Sequence, residues 1–558
     1  MVASPDGAGG WTITGDKEHP ANFGRLCSKG SALGETLGLD GRLLHPVVDG
    51  HQASWDEALA TVAGRFGDVI AEHGAQAVAF YVSGQLLTED YYVANKLMKG
   101  FIGSANIDTN SRLCMASSVA GHRRAFGGDV VPGTYEDLEL ADLVVLVGSN
   151  LAWCHPVLYQ RLIRAKAERG TRIVVIDPRR TATCDAADLH LAIRPGSDVL
   201  LFNGLLAHLG RAGAIDQDFI AKRTNGFAEA FLSAGDDACD MDAVASGCGL
   251  TLGEIQEFYE LFASTPATVT VYSQGVNQSS RGTDKVNAIV NCHLATGRIG
   301  KPGMGPFSIT GQPNAMGGRE VGGLANQLAA HMGFTPEDIE RVGRFWQAPR
   351  MAPREGLKAV DLFQAIESGK IKALWVMATN PAVSLPDADR VNRALASCPF
   401  VVVSDCTRDT DTTAYANVLL PAAGWGEKDG TVTNSERRIS RQRGFLPHPG
   451  EAKPDWWIIS QVAGRMGWAD AFAYQSPADI FAEHAALSAF ENDGSRAFDI
   501  GALAGTDYDA LPPTQWPAKA SPHGTARLFA DGKFPTPDDR ARFVAVRATT
   551  PATAASAE

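Results

Sequence analysis

The stretch Asn110-Ser-Arg-Leu-Cys-Met-Ala-Ser-Ser-Val-Ala-Gly-His122 sets one thiol, Cys114, where a loop runs into a helix. Met115 to Ala120 reads as the first turns of that helix. A thiol so placed is drawn toward thiolate by the positive end of the helix and by the neighbouring Arg112. Thiolate is the form that ligates a soft, high-valent metal. A lone cysteine in other surroundings is more often a plain buried thiol. A second grouping lies far downstream, in Gly311-Gln-Pro-Asn-Ala-Met-Gly-Gly-Arg-Glu-Val-Gly-Gly323. So many residues without side chains suit a loop pressed against a flat polar group, with Arg319 as the cation beside a substrate channel. The plainer reading of Arg319 is an ion pair with Glu320 or another carboxylate.

A chain of 558 residues is too long for a single core and suggests roughly three or four domains. Its net charge of -13 argues against general binding to nucleic acid or anionic membranes, and an anionic substrate would need a locally positive channel. No apolar run spans a bilayer, so no membrane insertion is expected, and the first residues carry no export signal. The nine cysteines include no Cys-x-x-Cys pair. That usage fits neither a disulfide framework nor a self-contained zinc site, and points to the cytoplasm.

Alternating strands and helices must position these groups. Trp55 to His73 is an amphipathic helix, with Ser54 as N-cap and Glu57 three residues on. The apolar strand 77–83 runs into Gly84-Gln85, and ligands of open α/β sheets gather at such carboxyl ends. Strand 142–147 runs into Gly148, Ser149 and Asn150. Strand 171–176 runs into Asp177, Pro178, Arg179 and Thr181, and a third strand-like piece leads to Gly196, Ser197 and Asp198. Asp177 or Asp198 suits the amino and imino groups of guanine, while Gly148 and Ser149 let backbone amides approach a diphosphate. There is no Gly-x-Gly-x-x-Gly fingerprint, which disfavours a standard NAD site. Strand 267–272 runs into Gln274 and Gln278. The alternation recurs at 371–377, ending in Asn380, and at 400–403, ending in Ser404 and Asp405. The basic run Arg437, Arg438, Arg441 and Arg443 reads either as a phosphate-facing set or as a solvated face.

Taken together, these segments resemble the molybdopterin oxidoreductases related to dimethyl sulfoxide reductase, and within them the assimilatory nitrate reductase branch. The resemblance covers Gly15 to about Phe543. It implies an α/β fold of interleaved dinucleotide-type αβα domains, truncated at both ends. The implied domains are 1–51 as the remnant of an iron-sulfur domain, 52–130 plus 307–420 as the first pterin-dinucleotide domain, and 131–306 as the second. A helical and loop return segment, 421–519, and the start of a C-terminal dinucleotide-binding domain, 520–558, complete them. The implied cofactor is molybdenum bis(molybdopterin guanine dinucleotide), with Cys114 as the protein ligand of the metal and Met115 and Arg319 at the substrate. Lys29, Gln85, Asn110, Gln274, Gln278, Asn380, Ser404, Asp405, Lys428 and Asp455 fall on cofactor-contacting positions, together with the residues of the strand ends at 148–150, 177–181 and 196–198. Cys27 matches the last of four [4Fe-4S] ligands. Residues 1 to 14 hold no cysteine, so this chain as given is expected to assemble no cluster.

The implied reaction is reduction of nitrate to nitrite in nitrate assimilation, with electrons from ferredoxin, flavodoxin or an NADH-linked reductase subunit. Formate-oxidising relatives usually place His after the metal-binding Cys or selenocysteine, so Cys114-Met115 favours nitrate over a formate dehydrogenase-like activity. A rival of another class is a non-catalytic relative serving as scaffold or electron-transfer subunit. The retention of Cys114, Arg319 and the two glutamines argues against it.

Overall fold

A computed structural model describes residues 1–238 and 240–549. Cys239 and the last nine residues of the expected C-terminal segment, 550–558, lie outside the described residues. Two sheets dominate the fold. One has five strands, all parallel, in the spatial order Gly305–Ser308, Thr268–Tyr272, Leu143–Val147, Arg172–Ile176, Leu189–Leu191. The other has seven. Its parallel part runs Val418–Pro421, Phe400–Asp405, Ala373–Met377, Val78–Val82, Ile107–Thr109, and the antiparallel pair Val47–Val48 and His51–Gln52 closes one side.

The central strands are near-continuous apolar runs, Leu-Val-Val-Leu-Val at 143–147 and Val-Ala-Phe-Tyr-Val at 78–82, and every residue of them is buried. A parallel strand covered by helices on both faces needs such a run rather than an alternation. The helix Trp55–His73 forms as its sequence dictates. The Ser54 hydroxyl accepts from the Glu57 amide, and Ala58, Leu59, Val62, Ala63 and Phe66 make the buried stripe.

The structure departs from the sequence reading in several places. Strand Gly305–Ser308 belongs to the five-stranded sheet, so a domain boundary at 306/307 would cut it. The 421–519 segment, expected as helix and loop, carries a three-stranded antiparallel sheet from Gly430–Thr433, Arg438–Gln442 and Thr514–Gln515. Residues beyond 520 fold back onto the body: Ala541–Arg542 pairs with Thr224–Asn225, and Phe534 stacks on Phe126 at 5.9 Å. Of the four arginines of the basic run, only Arg443 is exposed, and it donates to the Asp509 carbonyl. Arg437 is fully buried and donates to the carbonyls of Val131, Trp516 and Ala526, while Arg441 lies 3.7 Å over the Tyr508 ring. These arginines clasp the 508–526 segment to the core.

Candidate active site between the two sheets

The carboxyl ends of both parallel sheets carry the polar residues that the sequence singles out. In the seven-stranded sheet, strand Ile107–Thr109 runs through Asn110 and Ser111 into the helix Arg112–Phe126. That helix begins before Cys114, not after it, and breaks its own geometry at Met115, where φ is -124° and ψ 15°. Cys114 therefore stands on the last residue before a kink, and its side chain is almost wholly buried. Arg112 does not serve the thiol: its guanidinium holds Asp108 at 3.0 and 3.1 Å and the Asn326 carbonyl oxygen at 2.7 Å.

The five-stranded sheet reaches the same point from the other side. Gln274, just past strand Thr268–Tyr272, donates from Nε2 to the Cys114 sulfur at 3.2 Å, and Gln278 donates to the Leu113 carbonyl at 2.7 Å. Asn277 accepts from the Ser118 amide and hydroxyl at 2.8 and 2.7 Å. The thiol is thus pinned where the sheets meet. Thr310, past strand Gly305–Ser308, has its hydroxyl 4.0 Å from the sulfur, and its carbonyl accepts from His155 Nε2 at 2.9 Å. Burial depresses the His155 imidazole below its ordinary value, and the positive charge of Lys29, itself exposed, adds to that.

Beside Met115 a small cavity is lined by His122, Asp129, Thr310, Met316, Arg319 and Ser435. Arg319 is not on a loop. It lies on the short helix Ala315–Val321, is 5% exposed, and gives Nε to Asp129 at 2.8 Å and NH2 to the Met316 sulfur at 3.1 Å. Arg319 is therefore half of a buried ion pair, and it walls the cavity. Its partner is Asp129, not Glu320. Burial alone would raise the Asp129 carboxyl, but the charges of Arg319 and His331 bring it below the usual carboxylate value.

The other predicted residues divide. Gln85 and Asn110 stand together at 3.4 Å at the mouth of the seven-stranded sheet. Gly148 takes φ +53°, and a Cβ there would meet the Gly275 Cα at 2.6 Å, so the two glycines let the ends of adjacent strands touch. Asn150 accepts from Thr183, and Asp177 accepts from the Arg179 amide, beside Pro178. Gly196 is left-handed and Ser197 donates to the Arg194 carbonyl. Asn380 takes the Thr412 hydroxyl and Asp405 the Thr407 amide. Cys27 caps the short helix Ser28–Ser31.

Four residues assigned to the cofactor, Asp198, Ser404, Lys428 and Asp455, have protein partners. Asp198 pairs with Lys285 at 2.6 Å, and Ser404 accepts from Trp375 Nε1 at 2.7 Å. Lys428 bridges Asp455 at 2.7 Å and Asp90 at 3.1 Å, deep in the protein. With that cation gone, two buried carboxylates would face each other, so Lys428→Met is expected to cost about 3–5 kcal/mol of stability by denaturant unfolding. A loss under about 1 kcal/mol would show that Lys428 is not the internal counter-ion.

Five buried polar atoms along these strand ends have no protein partner: Ser111 Oγ, Ser149 Oγ, Thr181 Oγ1, His155 Nδ1 and Gln312 Oε1. Buried polar atoms are otherwise almost always paired, so these five leave hydrogen-bonding capacity unmet. Among the described residues no three His, Cys, Asp or Glu side chains converge to hold a metal. A metal here would draw one protein ligand, Cys114, and the rest from its own cofactor. Asp129, His155, Asn277 and Thr310 are the site residues that sequence reasoning missed. Asp129 follows two glycines with no patterned neighbour, whereas Asn277 lay inside the stretch already singled out for Gln274 and Gln278.

Comparison with known proteins agrees with this geometry. The molybdopterin oxidoreductase family model matches residues 42–465. A nitrate reductase of Klebsiella oxytoca is 59% identical over 525 residues, covering 93% of this chain and 60% of that protein. One of Shewanella frigidimarina is 52% identical over 541 residues, covering 95% and 58%. The chain thus spans about three fifths of the length of these relatives. Acetylene hydratase from Pelobacter acetylenicus superposes with a TM-score of 0.76 over 98% of this chain and 75% of its own, at 19% identity, and so shares the fold. The chain belongs to the molybdopterin oxidoreductase family.

Proposed function

We propose that this protein reduces nitrate to nitrite in nitrate assimilation in the cytoplasm, NO3− + 2e− + 2H+ → NO2− + H2O. Electrons would come from ferredoxin, flavodoxin or an NADH-linked reductase subunit. The observation that carries the reading is the wall of the cavity: Met115, the residue after the candidate metal ligand, lines it together with Arg319. A thioether at that position moves no proton, unlike the histidine of formate-oxidising relatives, and an arginine fork suits a trigonal oxyanion. The identity to nitrate reductases supports the same reading.

The unpartnered atoms of the strand ends fit a molybdenum bis(molybdopterin guanine dinucleotide) cofactor, with Ser149, Thr181, Gln85 and Asn110 among the residues that would hold it and Cys114 as its metal ligand. When bound, that group supplies two-electron, oxygen-atom-transfer chemistry. The protein's own part is positioning. Gln274 fixes the thiol, Asp129 fixes Arg319 through its Nε, and Arg319 binds the anion against the field of a protein of net charge -13. Met115 and Met316 supply apolar wall among polar neighbours such as His122 and Thr310. The full-length, cofactor-loaded enzyme should form nitrite from nitrate with a reduced viologen dye as electron donor, and oxidise formate with the oxidised dye as acceptor at under about a hundredth of that rate, a difference of roughly 3 kcal/mol in barrier. Formate turnover equal to or above nitrate turnover would overturn the reading.

A further inference from the structure

A second cavity, of about 340 Å3, lies behind the candidate nitrate pocket and is lined by Gly127, Gly128, His331, Asp338, Arg341 and Arg496, among others. Consecutive residues line the two spaces: Gly128 walls the outer cavity and Asp129 walls the inner one. His331 lines the outer cavity, and Asp129 favours the protonated form of its imidazole. The outer wall also holds unmet hydrogen-bonding capacity. His331 Nε2 has no partner, and neither do Nε and NH1 of Arg496, which is 9% exposed. A polar cavity of this size beside three such atoms is where ordered water belongs.

The protein goes to some cost to hold His331 there. Ala330 and His331 both take left-handed backbone, φ +46° and +63°, in a turn closed by the Met332 amide on the Ala329 carbonyl at 2.8 Å. Non-glycine residues resist that conformation. The ring is gripped by Phe498 and Trp516, with centroids 5.1 and 5.6 Å away. Burial depresses its imidazole to about 4; Asp129 draws it upward, Arg123, Arg319 and Arg496 push it down, and His484 lies beyond Phe498.

We propose that the outer cavity is the proton entry of the nitrate site, with His331 as the relay between cavity water and the Asp129–Arg319 pair. The proposal rests on the nitrate-reducing reading, which demands two protons per turnover, both leaving in the product water. A neutral imidazole takes a proton at one nitrogen as it releases one from the other, and the Asp129 carboxylate stabilises the cationic intermediate. His331 itself binds no substrate; it acts through the pair.

The test uses the full-length, molybdenum-loaded enzyme, with rates expressed per bound molybdenum so that a poorly folding variant still reports. His331→Ala and His331→Gln are expected to lower kcat for nitrate about tenfold or more with KM little changed. The solvent deuterium isotope effect on kcat should rise, and free imidazole should restore the alanine variant. A crystal structure should show water bridging Arg496 and His331. Wild-type kcat with an unchanged isotope effect in both variants, or a fall confined to KM, would overturn the relay alone. A wild-type enzyme that does not reduce nitrate would remove the functional reading, and the relay with it.

Discussion

Cys114→Ala is expected to lower nitrate turnover by about a thousandfold or more, as removal of a group in direct contact with the reacting centre does, while the fold survives. The thiol sits at a kink where the helix Arg112–Phe126 already departs from helical geometry, so alanine strains nothing there. Stability should change by only about 1–2 kcal/mol, from lost packing and from the Gln274 amide that loses its acceptor. Cys114→Ser separates two roles of the sulfur. It keeps a hydrogen-bond acceptor for Gln274 but offers a hard oxygen in place of a soft ligand. The serine variant should therefore unfold like wild type and still lose most of its activity. Both variants need the full-length enzyme, with molybdenum measured alongside rate and thermal unfolding. If either variant kept wild-type turnover with an artificial electron donor, Cys114 would not be the ligand. If both unfolded, the thiol would be a packing element.

The parts of the site that could be read from sequence are those that main-chain geometry dictates. Buried parallel strands are apolar runs ended by small or polar residues, so 143–150 and 78–85 declare both strand and ligand edge. Gly148 could be picked out because a left-handed turn at a strand end calls for glycine. What stayed hidden were pairings between segments far apart in the chain. Asp129 and Arg319 meet across 190 residues, and nothing in the local pattern around either points to the other. The family resemblance set Lys428 at a cofactor-contacting position. Only the fold shows that Asp90, from the first helix after Val78–Val82, claims it. Arg437 was misjudged for the same reason: a run of arginines looks solvated until the 508–526 segment closes over it. The small helix at Ala315–Val321 escaped notice because its glycines lower local helix propensity, and tertiary packing on Tyr91 overrides that.

Arg319 separates structure from chemistry most sharply, because its guanidinium serves both. The pair with Asp129 is 6% and 2% exposed, so Arg319→Ala leaves a carboxylate buried with no counter-ion beside it, at an expected cost of about 3–5 kcal/mol. Independently, losing a charge-assisted donor to the substrate should lower kcat/KM for nitrate by about ten- to a hundredfold, or roughly 1.5–3 kcal/mol. Arg319→Lys keeps the charge facing Asp129 but loses the planar fork, so it should cost less stability than alanine and reduce kcat/KM by an intermediate amount. The decisive variant removes both charges. In Arg319→Ala with Asp129→Asn no ion is left unpaired, so stability should return toward wild type while kcat/KM stays low. Denaturant midpoints give the first quantity, and nitrate kinetics per bound molybdenum give the second. If the double variant recovers kcat/KM along with stability, Arg319 is only the partner of Asp129. If all three variants bind nitrate as wild type does, the cavity beside Met115 is not where the anion sits. The expected result, recovery of one quantity without the other, would assign the guanidinium a contact with the anion that no packing argument supplies.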